Sequence, residues 1–263
     1  MSKILILGDV HGNLTFLQDV VKNAKRSFDI DYVIQVGDFG FYPHVFEAMK
    51  RLGAFTVPVY AIDGNHEKHK WVFKQKKVWN MWKEKNNLIF CPRGTTLTID
   101  ERLIAFVGGA MNVDRLQEGS IEHRTTNYLL DVEAREIIED LNNKPIVDLM
   151  VTHSCPHSIG VGMEGDPYFI PMIYEYITER FGIGTGPIND CGEQVLKTLW
   201  DGLDNKPLNW VFGHFHSHLQ TIIGDTNFWC VGSTDQSDSV HFCIPYIYNT
   251  ETNMVTKIES ERI

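Results

Sequence analysis

The chain of 263 residues has little cysteine and no C-x-x-C pair. Cys91, Cys155, Cys191, Cys230 and Cys243 are odd in number and widely spaced, which argues against a disulfide framework and for reduced thiols in a cytosolic compartment. No run approaches the ~20 apolar residues of a membrane span, and the N-terminus has no signal-peptide core beyond its first strand. Positive charge is in deficit: 24 Lys and Arg against 34 Asp and Glu give a formal net charge of -10. An acidic surface weakens non-specific binding to duplex nucleic acid, though a local basic lip or a bound cation inverts the field. Linkers, repeats and low-complexity segments are also missing. With 43% hydrophobic residues, enough for a large core, the expectation is one soluble cytoplasmic domain over residues 1–263, with no membrane partner. No oligomeric state follows from these numbers.

What is present is a polar loop after a strand, repeated. Ile4 to Leu7 form a short apolar run that reads as a buried parallel strand, and GDVHGN follows, with Asp9 and His11 one residue apart. Asn13 offers an N-cap for an amphipathic helix with Leu14, Leu17, Val20 and Val21 on one face. Tyr32 to Val36 then end in Gly37 and Asp38, before a helix over Val45 to Leu52. Pro58 to Ile62 end in Asp63, Asn65, His66 and Glu67. Three strand–loop–helix units with ligand-type residues at one end describe a βαβαβ half-fold, and open α/β sheets place their sites at that end.

Glu67 to Lys85 reads as one helix with seven lysines interleaved with Trp71, Phe73, Trp79 and Trp82. Trp71, Val78 and Trp82 fall on one face. This is either core-packing aromatics with a solvated basic face, the favoured reading, or a basic aromatic lip for phosphate or a base. Leu88 to Phe90, Thr95 to Ile99 and Leu103 to Val107 are short strands joined by tight turns. A polar loop with Asp114, Arg115, His123 and Arg124 precedes a helix over Asp131 to Leu141. Ile146 to Val151 form a strand with His153 at its tip. Residues 158–190 hold an aromatic helical stretch, Tyr168 to Phe181, and read as a lid or specificity insertion. A helix spans Gly192 to Trp200. The strand Leu208 to Phe212 leads into GHFHSH, with His214, His216 and His218. Leu219 to Ile223, Phe228 to Val231 and Pro245 to Tyr248 close the fold as antiparallel strands.

The strand ends together supply Asp9, His11, Asp38, Asn65, His66, His153, His214 and His216. All offer oxygen or imidazole and none is a thiol, which suits divalent Mn, Fe, Ni, Co or Zn. They are too many for one four-coordinate zinc and about right for two ions sharing a carboxylate. Two ions about 3.5–4 Å apart clamp a phosphoryl group and lower the pKa of a bridging water, whose hydroxide attacks phosphorus in line. His66 is the natural proton donor to the leaving oxygen. Singly, a strand-end Asp or His is commonly a cap or a satisfied buried group; jointly, five such motifs argue against accident.

GDVHG (8–12), GD (37–38), GNHE (64–67), TH (152–153) and GHFH (213–216) resemble, in order, the signature of the calcineurin-like metallophosphoesterase superfamily. The resemblance implies an α/β fold, a four-layer α/β/β/α sandwich of two mixed β-sheets with helices outside. It implies two divalent metal ions, manganese first among them. Asp9, His11, Asp38 and His216 would hold the first and Asp38, Asn65, His153 and His214 the second, with Asp38 bridging. His66 matches the histidine that contacts phosphate and protonates the leaving group.

The sequence departs from the protein Ser/Thr phosphatases of that superfamily. GDFGFY and IDGNHE lack the two arginines those enzymes use to clamp phosphate, and the GHxH ending marks the phosphodiesterase and nuclease side. The expectation is therefore a metal-dependent phosphoesterase that favours phosphodiesters. Arg115, His123 and Arg124 are candidate replacement clamps, with surface charge as their plainer reading. One alternative is a nuclease or end-processing phosphatase acting on a nucleotide or nucleic-acid end. Another is a non-catalytic scaffold, which intact ligand positions disfavour. Asp63 reads equally as a residue orienting a ligand histidine and as a turn residue. His218 reads as structural or supporting; His44, His69 and His241 read as surface or core.

Overall fold

The computed structural model describes residues 1–111, 127–160, 192–234, 244 and 246–258. Two six-stranded mixed sheets pack face to face with helices outside. The first sheet is built from β1 (Lys3–Leu7), β2 (Tyr32–Gln35), β3 (Val59–Ala61) and β4 (Leu88–Phe90), all parallel. β11 (Tyr246–Asn249) joins antiparallel to β1, and β12 (Met254–Lys257) forms the edge. Its helices are α1 (Leu14–Phe28), α2 (Pro43–Met49), α3 (His69–Val72) and α4 (Lys76–Asn86). The second sheet runs β5 (Thr95–Ile99), β6 (Arg102–Val107), β7 (Leu149–Thr152), β8 (Asn209–Phe212), β10 (Thr226–Cys230), β9 (Leu219–Ile223). Its helices are α5 (Asp131–Asn142) and α6 (Gln194–Gly202), which pack on each other.

The layering follows from strand alternation. On β1, Leu5 and Leu7 face α1 and α2, while Ile4 and Ile6 face the other sheet. Ile34, Val36 and Ile62 meet Ile104, Phe106, Leu149, Val151 and Val211 between the sheets. Leu103, Ala105 and Val107 turn the other way, with Trp210 and Phe212, to Leu196 and Leu199 of α6. Three separate apolar layers therefore make four layers of structure, as the resemblance implied. A fully buried side chain of this kind contributes about 1.5–3 kcal/mol. Buried on both faces, these strands read as unbroken apolar runs rather than alternating ones.

Three expectations need correction. Residues 67–85 are not one helix. Tight bonds from Lys74 N to Trp71 O and from Gln75 N to Val72 O close off α3, and α4 starts afresh. The break lets adjacent Val72 and Phe73 both reach the core that Trp82 fills. β4 and β5, read as successive short strands joined by a tight turn, lie in different sheets, so the chain crosses between sheets at Cys91–Gly94. The closing strands are not all antiparallel: β10 runs parallel to β8, and β11 belongs to the first sheet. The aromatic stretch 168–181, the greater part of the expected lid, and Arg115, His123 and Arg124 fall outside the described residues.

Candidate metal centre

Asp9, Asp38 and His153 reach one point from three strands. β1 and β2 are in register side by side, so the loops after them emerge together. The Val10 and His11 N–H groups donate to the Asp38 carbonyl at 3.0 and 2.8 Å. β7 and β8 bring His153 and the 213–216 loop from the second sheet, where the Gly213 N–H donates to the His153 carbonyl. The site thus straddles the open end of the inter-sheet layer.

Two donor groups result. Asp9, His11 and His216 form one; Asp9, Asp38 and His153 form the other, and within each the donor atoms lie within 4.8 Å of one another. His216 Nε2 is 3.1 Å from Asp9 Oδ2 and 3.4 Å from His11 Nε2. Asp38 faces both groups, with Oδ2 4.0 Å from His11 Nε2 and Oδ1 3.4 Å from His153 Nε2. Asn65 Oδ1 lies 3.0 Å from His153 Nε2. The His214 ring centroid is 5.0 Å from that of His153, and its N–H donates to Asp9 Oδ1 at 3.1 Å. His66 stands over the group, its ring centroid 5.4 Å from that of His11 and its backbone N–H donating to Asp38 Oδ1 at 2.8 Å. The eight strand-end residues thus lie near one another, while the other expected site residues, Arg115, His123 and Arg124, lie outside the described residues.

The backbone is bent to do this. His11, Asp38, His214 and His216 have φ of 49°, 52°, 68° and 48°. Left-handed non-glycine residues cost of order 1–3 kcal/mol each and persist only where their surroundings impose them. Gly64 lies so close to Asp38 that an added Cβ would overlap both its carboxylate and its backbone nitrogen.

Electrostatics follow the crowding. Burial raises the pKa of the fully buried Asp9 and Asp38 carboxyls, but the His153 imidazole and its histidine neighbours reverse this and hold both well below the usual carboxylate range. Burial opposes protonation of His153, yet Asp38 and Asp9 overcome it and push this imidazole up to about 10. Burial and then charged His153 push His214 down to about 3. Two buried carboxylates held ionised among facing imidazole nitrogens, without thiols, fit hard-to-borderline dications. His153 Nδ1–H donates to the Val36 carbonyl at 2.8 Å, which leaves Nε2 as its ligand atom.

Around the donors stand supporting residues whose partners the sequence did not indicate. Asp63 does not orient a ligand histidine. It binds Arg93 and lies 3.5 Å from buried His69, whose Nε2 donates to the Gly64 carbonyl at 2.8 Å. Buried Glu67 accepts from Phe41 N–H at 2.5 Å and Gly40 N–H at 3.4 Å, tying the third loop to the second. Burial, then Asp38, push its carboxyl up to about 8. Glu193 accepts from Met111 N–H at 2.9 Å, while its own N–H donates to the Cys155 carbonyl, joining two more loops beneath His153. Tyr42 OH donates to the His66 carbonyl. Ser233 Oγ and Thr234 N–H donate to the Asp9 carbonyl. His218 is structural, taking Gly232 N–H on Nδ1 at 3.2 Å. His44 is exposed, His69 is core, and His241 is outside the described residues.

An α/β sandwich with this constellation at the mouth of its inter-sheet layer defines a metallophosphoesterase type of fold. The calcineurin-like phosphoesterase model matches residues 2–218, and the chain belongs to that family. No curated protein matches the chain in sequence. One solved structure superposes with a TM-score of 0.67 at 11% identity, over 99% of each chain. The TT1561 protein of Thermus thermophilus does so with a TM-score of 0.58 at 14% identity, over 98% of each chain. At these identities the likeness is one of fold. Family membership makes the chain a phosphoesterase by class and implies divalent metal ions. Among the described residues no helix is long and apolar enough to cross a membrane.

Proposed function

We propose that this protein is a dinuclear metal-dependent phosphoesterase that prefers phosphodiesters, with manganese as its first-choice metal. One observation carries the dinuclear reading: the Asp38 carboxylate faces His11 with one oxygen and His153 with the other. Asp9, His11, Asp38 and His216 would hold one ion, and Asp38, Asn65, His153 and His214 the other. Bound there, such ions supply Lewis-acid polarisation of the phosphoryl oxygens and a water of lowered pKa.

The chain's own residues then divide the remaining work. Asp9 and Asp38, ionised and buried, hold the charge that fixes cation positions. His153, anchored through Nδ1, gives up its Nε2 proton when it ligates. His66, held by its backbone N–H on Asp38 and its backbone carbonyl on Tyr42, would present its imidazole to protonate the leaving oxygen. The missing clamp arginines and the GHFH ending support a diester substrate. Substrate contacts by Arg115, His123 and Arg124, a lid over 158–190 and a single domain remain part of this proposal.

The test is hydrolysis of bis-p-nitrophenyl phosphate against p-nitrophenyl phosphate by stripped enzyme reconstituted with Mn. Faster diester cleavage, lost in Asp38→Ala, is expected. Faster monoester cleavage would overturn the diester preference, and an enzyme equally active when stripped would overturn metal dependence. The convergence of all the donor positions speaks against a scaffold. The nucleic-acid alternative loses its stacking residues, because Trp71 and Trp79 pack against the helix-side core and Trp82 is buried in it. Its lysines remain.

A further inference from the structure

Beside the site the charge of the chain is segregated. Residues 68–85 carry seven lysines and one carboxylate, Glu84, a formal +6 against -16 for the remainder. The apolar half of this segment points inward: Trp82 stacks on Phe41 at 5.4 Å, and Trp79 meets Phe90 at 4.7 Å. Its basic half points out. Lys68, Lys74, Lys76, Lys77, Lys83 and Lys85 are all exposed. Among the described residues none of these six has a carboxylate partner, although lysines elsewhere, such as Lys25, Lys50, Lys144 and Lys197, do. A segment of an acidic protein that leaves six ammonium groups without local counter-charge among the described residues is not explained by packing, which needs only the opposite face.

The placement is directional. Lys68 follows His66 by two residues, and the Lys68 N–H donates to the Phe41 carbonyl in the second site loop. β4 is parallel to β3, so the intervening α4 returns antiparallel to both. Its N-terminal end, with Lys76 and Lys77, therefore lies at the strand end that carries Asn65 and His66. Lys83 and Lys85 lie near its other end, about 10–14 Å along the axis from Lys76 at 1.5 Å per residue. The lysines thus mark a broad basic track over the exposed side of α4, running from the site down the helix layer with Lys83 and Lys85 at its two margins.

We infer that this lysine track is an interaction surface for the phosphodiester backbone of a nucleic-acid strand whose end or internal bond enters the neighbouring site. Entry into the site rests on the phosphoesterase reading; the binding surface does not. The net charge of -10 does not oppose it, because exposed charges beyond a Debye length of about 8 Å at physiological salt are largely screened and the nearest charges dominate. With Trp71 and Trp79 packed against the core and Trp82 buried in it, these tryptophans offer no stacking platform, so recognition by this surface is of backbone charge without base sequence.

The test uses the Mn-loaded full chain and its quadruple variant Lys74→Gln, Lys76→Gln, Lys77→Gln, Lys83→Gln, with a fluorescein-labelled single-stranded 20-mer read by anisotropy at several NaCl concentrations. Six engaged lysines give a log–log salt slope of about -4 on a single strand, and two give about -1.5. The expected result is a shallower slope and at least a tenfold weaker Kd at 50 mM NaCl in the variant. Bis-p-nitrophenyl phosphate turnover should be unchanged, which also reports an intact fold. The surface is overturned if the wild type fails to bind at 50 mM NaCl, if the variant binds as tightly, or if a methylphosphonate 20-mer with a neutral backbone binds equally well. If neither nitrophenyl ester is cleaved but the variant still loses the 20-mer, the phosphoesterase reading fails and the surface stands.

Discussion

Arg93 donates through Nε and Nη2 to one oxygen of Asp63, at 3.1 and 2.8 Å, with both side chains almost wholly inside the protein. The same guanidinium donates through Nη1 to the Tyr128 carbonyl at 2.7 Å and reaches Glu133 at 3.3 Å. Asp63 opens the loop that carries Asn65 and His66, and its carbonyl accepts the Gly109 N–H at 2.7 Å. The pair therefore locks the third loop of the first sheet to the start of the second.

Arg93→Met should be among the most destabilising single changes in the chain. Removing one partner of a buried pair leaves an uncompensated charge and costs about 3–5 kcal/mol. Urea denaturation measures this, and Asp63→Asn combined with Arg93→Met should cost less than the two single losses added together. The pH dependence has a definite sign. Burial raises the Asp63 pKa, but Arg93 and His69 depress it overall. The stabilisation is therefore present above the unfolded carboxyl value of about 3.9 and lost as pH falls through the lower folded value. Wild type should lose this increment only in acid, and Arg93→Met should lack it at neutral pH.

Asp38→Ala should abolish turnover and reduce bound metal at both positions, because its two oxygens face the two donor groups. Metal-to-protein ratio by elemental analysis is the check. Full retention of two ions per chain would refute the shared carboxylate.

His66→Ala should keep its metals and lose activity in proportion to the basicity of the leaving group. A loss of about 10²–10⁴-fold on alkyl esters, with a much smaller one on p-nitrophenyl esters, is the signature of a missing general acid. An equal loss on both would remove His66 from that role.

Gly64→Ala should be far more damaging than its one methyl group suggests. The new Cβ would press on the Asp38 carboxylate and backbone nitrogen. Metal content and turnover should both fall, in contrast to Gly53→Ala, whose Cβ would meet nothing.

Native protein should resist iodoacetamide at Cys91, Cys155 and Cys230, which are buried thiols outside any disulfide. Burial pushes the Cys91 thiol up to about 12 and the Cys230 thiol higher still. Alkylation mapped by mass spectrometry should find these three labelled only after unfolding, since the thiolate is the reactive form.

The parts of the molecule with local causes were legible in the chain alone. Ile4 to Leu7 are apolar on both faces and must be a covered strand. Asn13 caps α1, its side chain accepting from the Phe16 N–H. Each site loop carries its ligands within four residues of its strand's end, so Asp9, His11, Asp38, Asn65 and His153 could be read as a set. Tertiary packing settled everything that depends on which strand lies beside which. Leu88 to Phe90 and Thr95 to Ile99 look alike as short strands, yet one adds to β3 and the other crosses to β6. Arg93 sits in what reads as an ordinary turn, and its role exists only because that crossing brings it against Asp63, 30 residues earlier. The inward turn of Trp71, Trp79 and Trp82 was likewise a choice between two faces, settled by the Phe41 and Phe90 core. Local propensity and periodicity act within a few residues. Buried ion pairs and sheet partners are set by contacts across the chain, where burial energy rather than sequence spacing selects the arrangement.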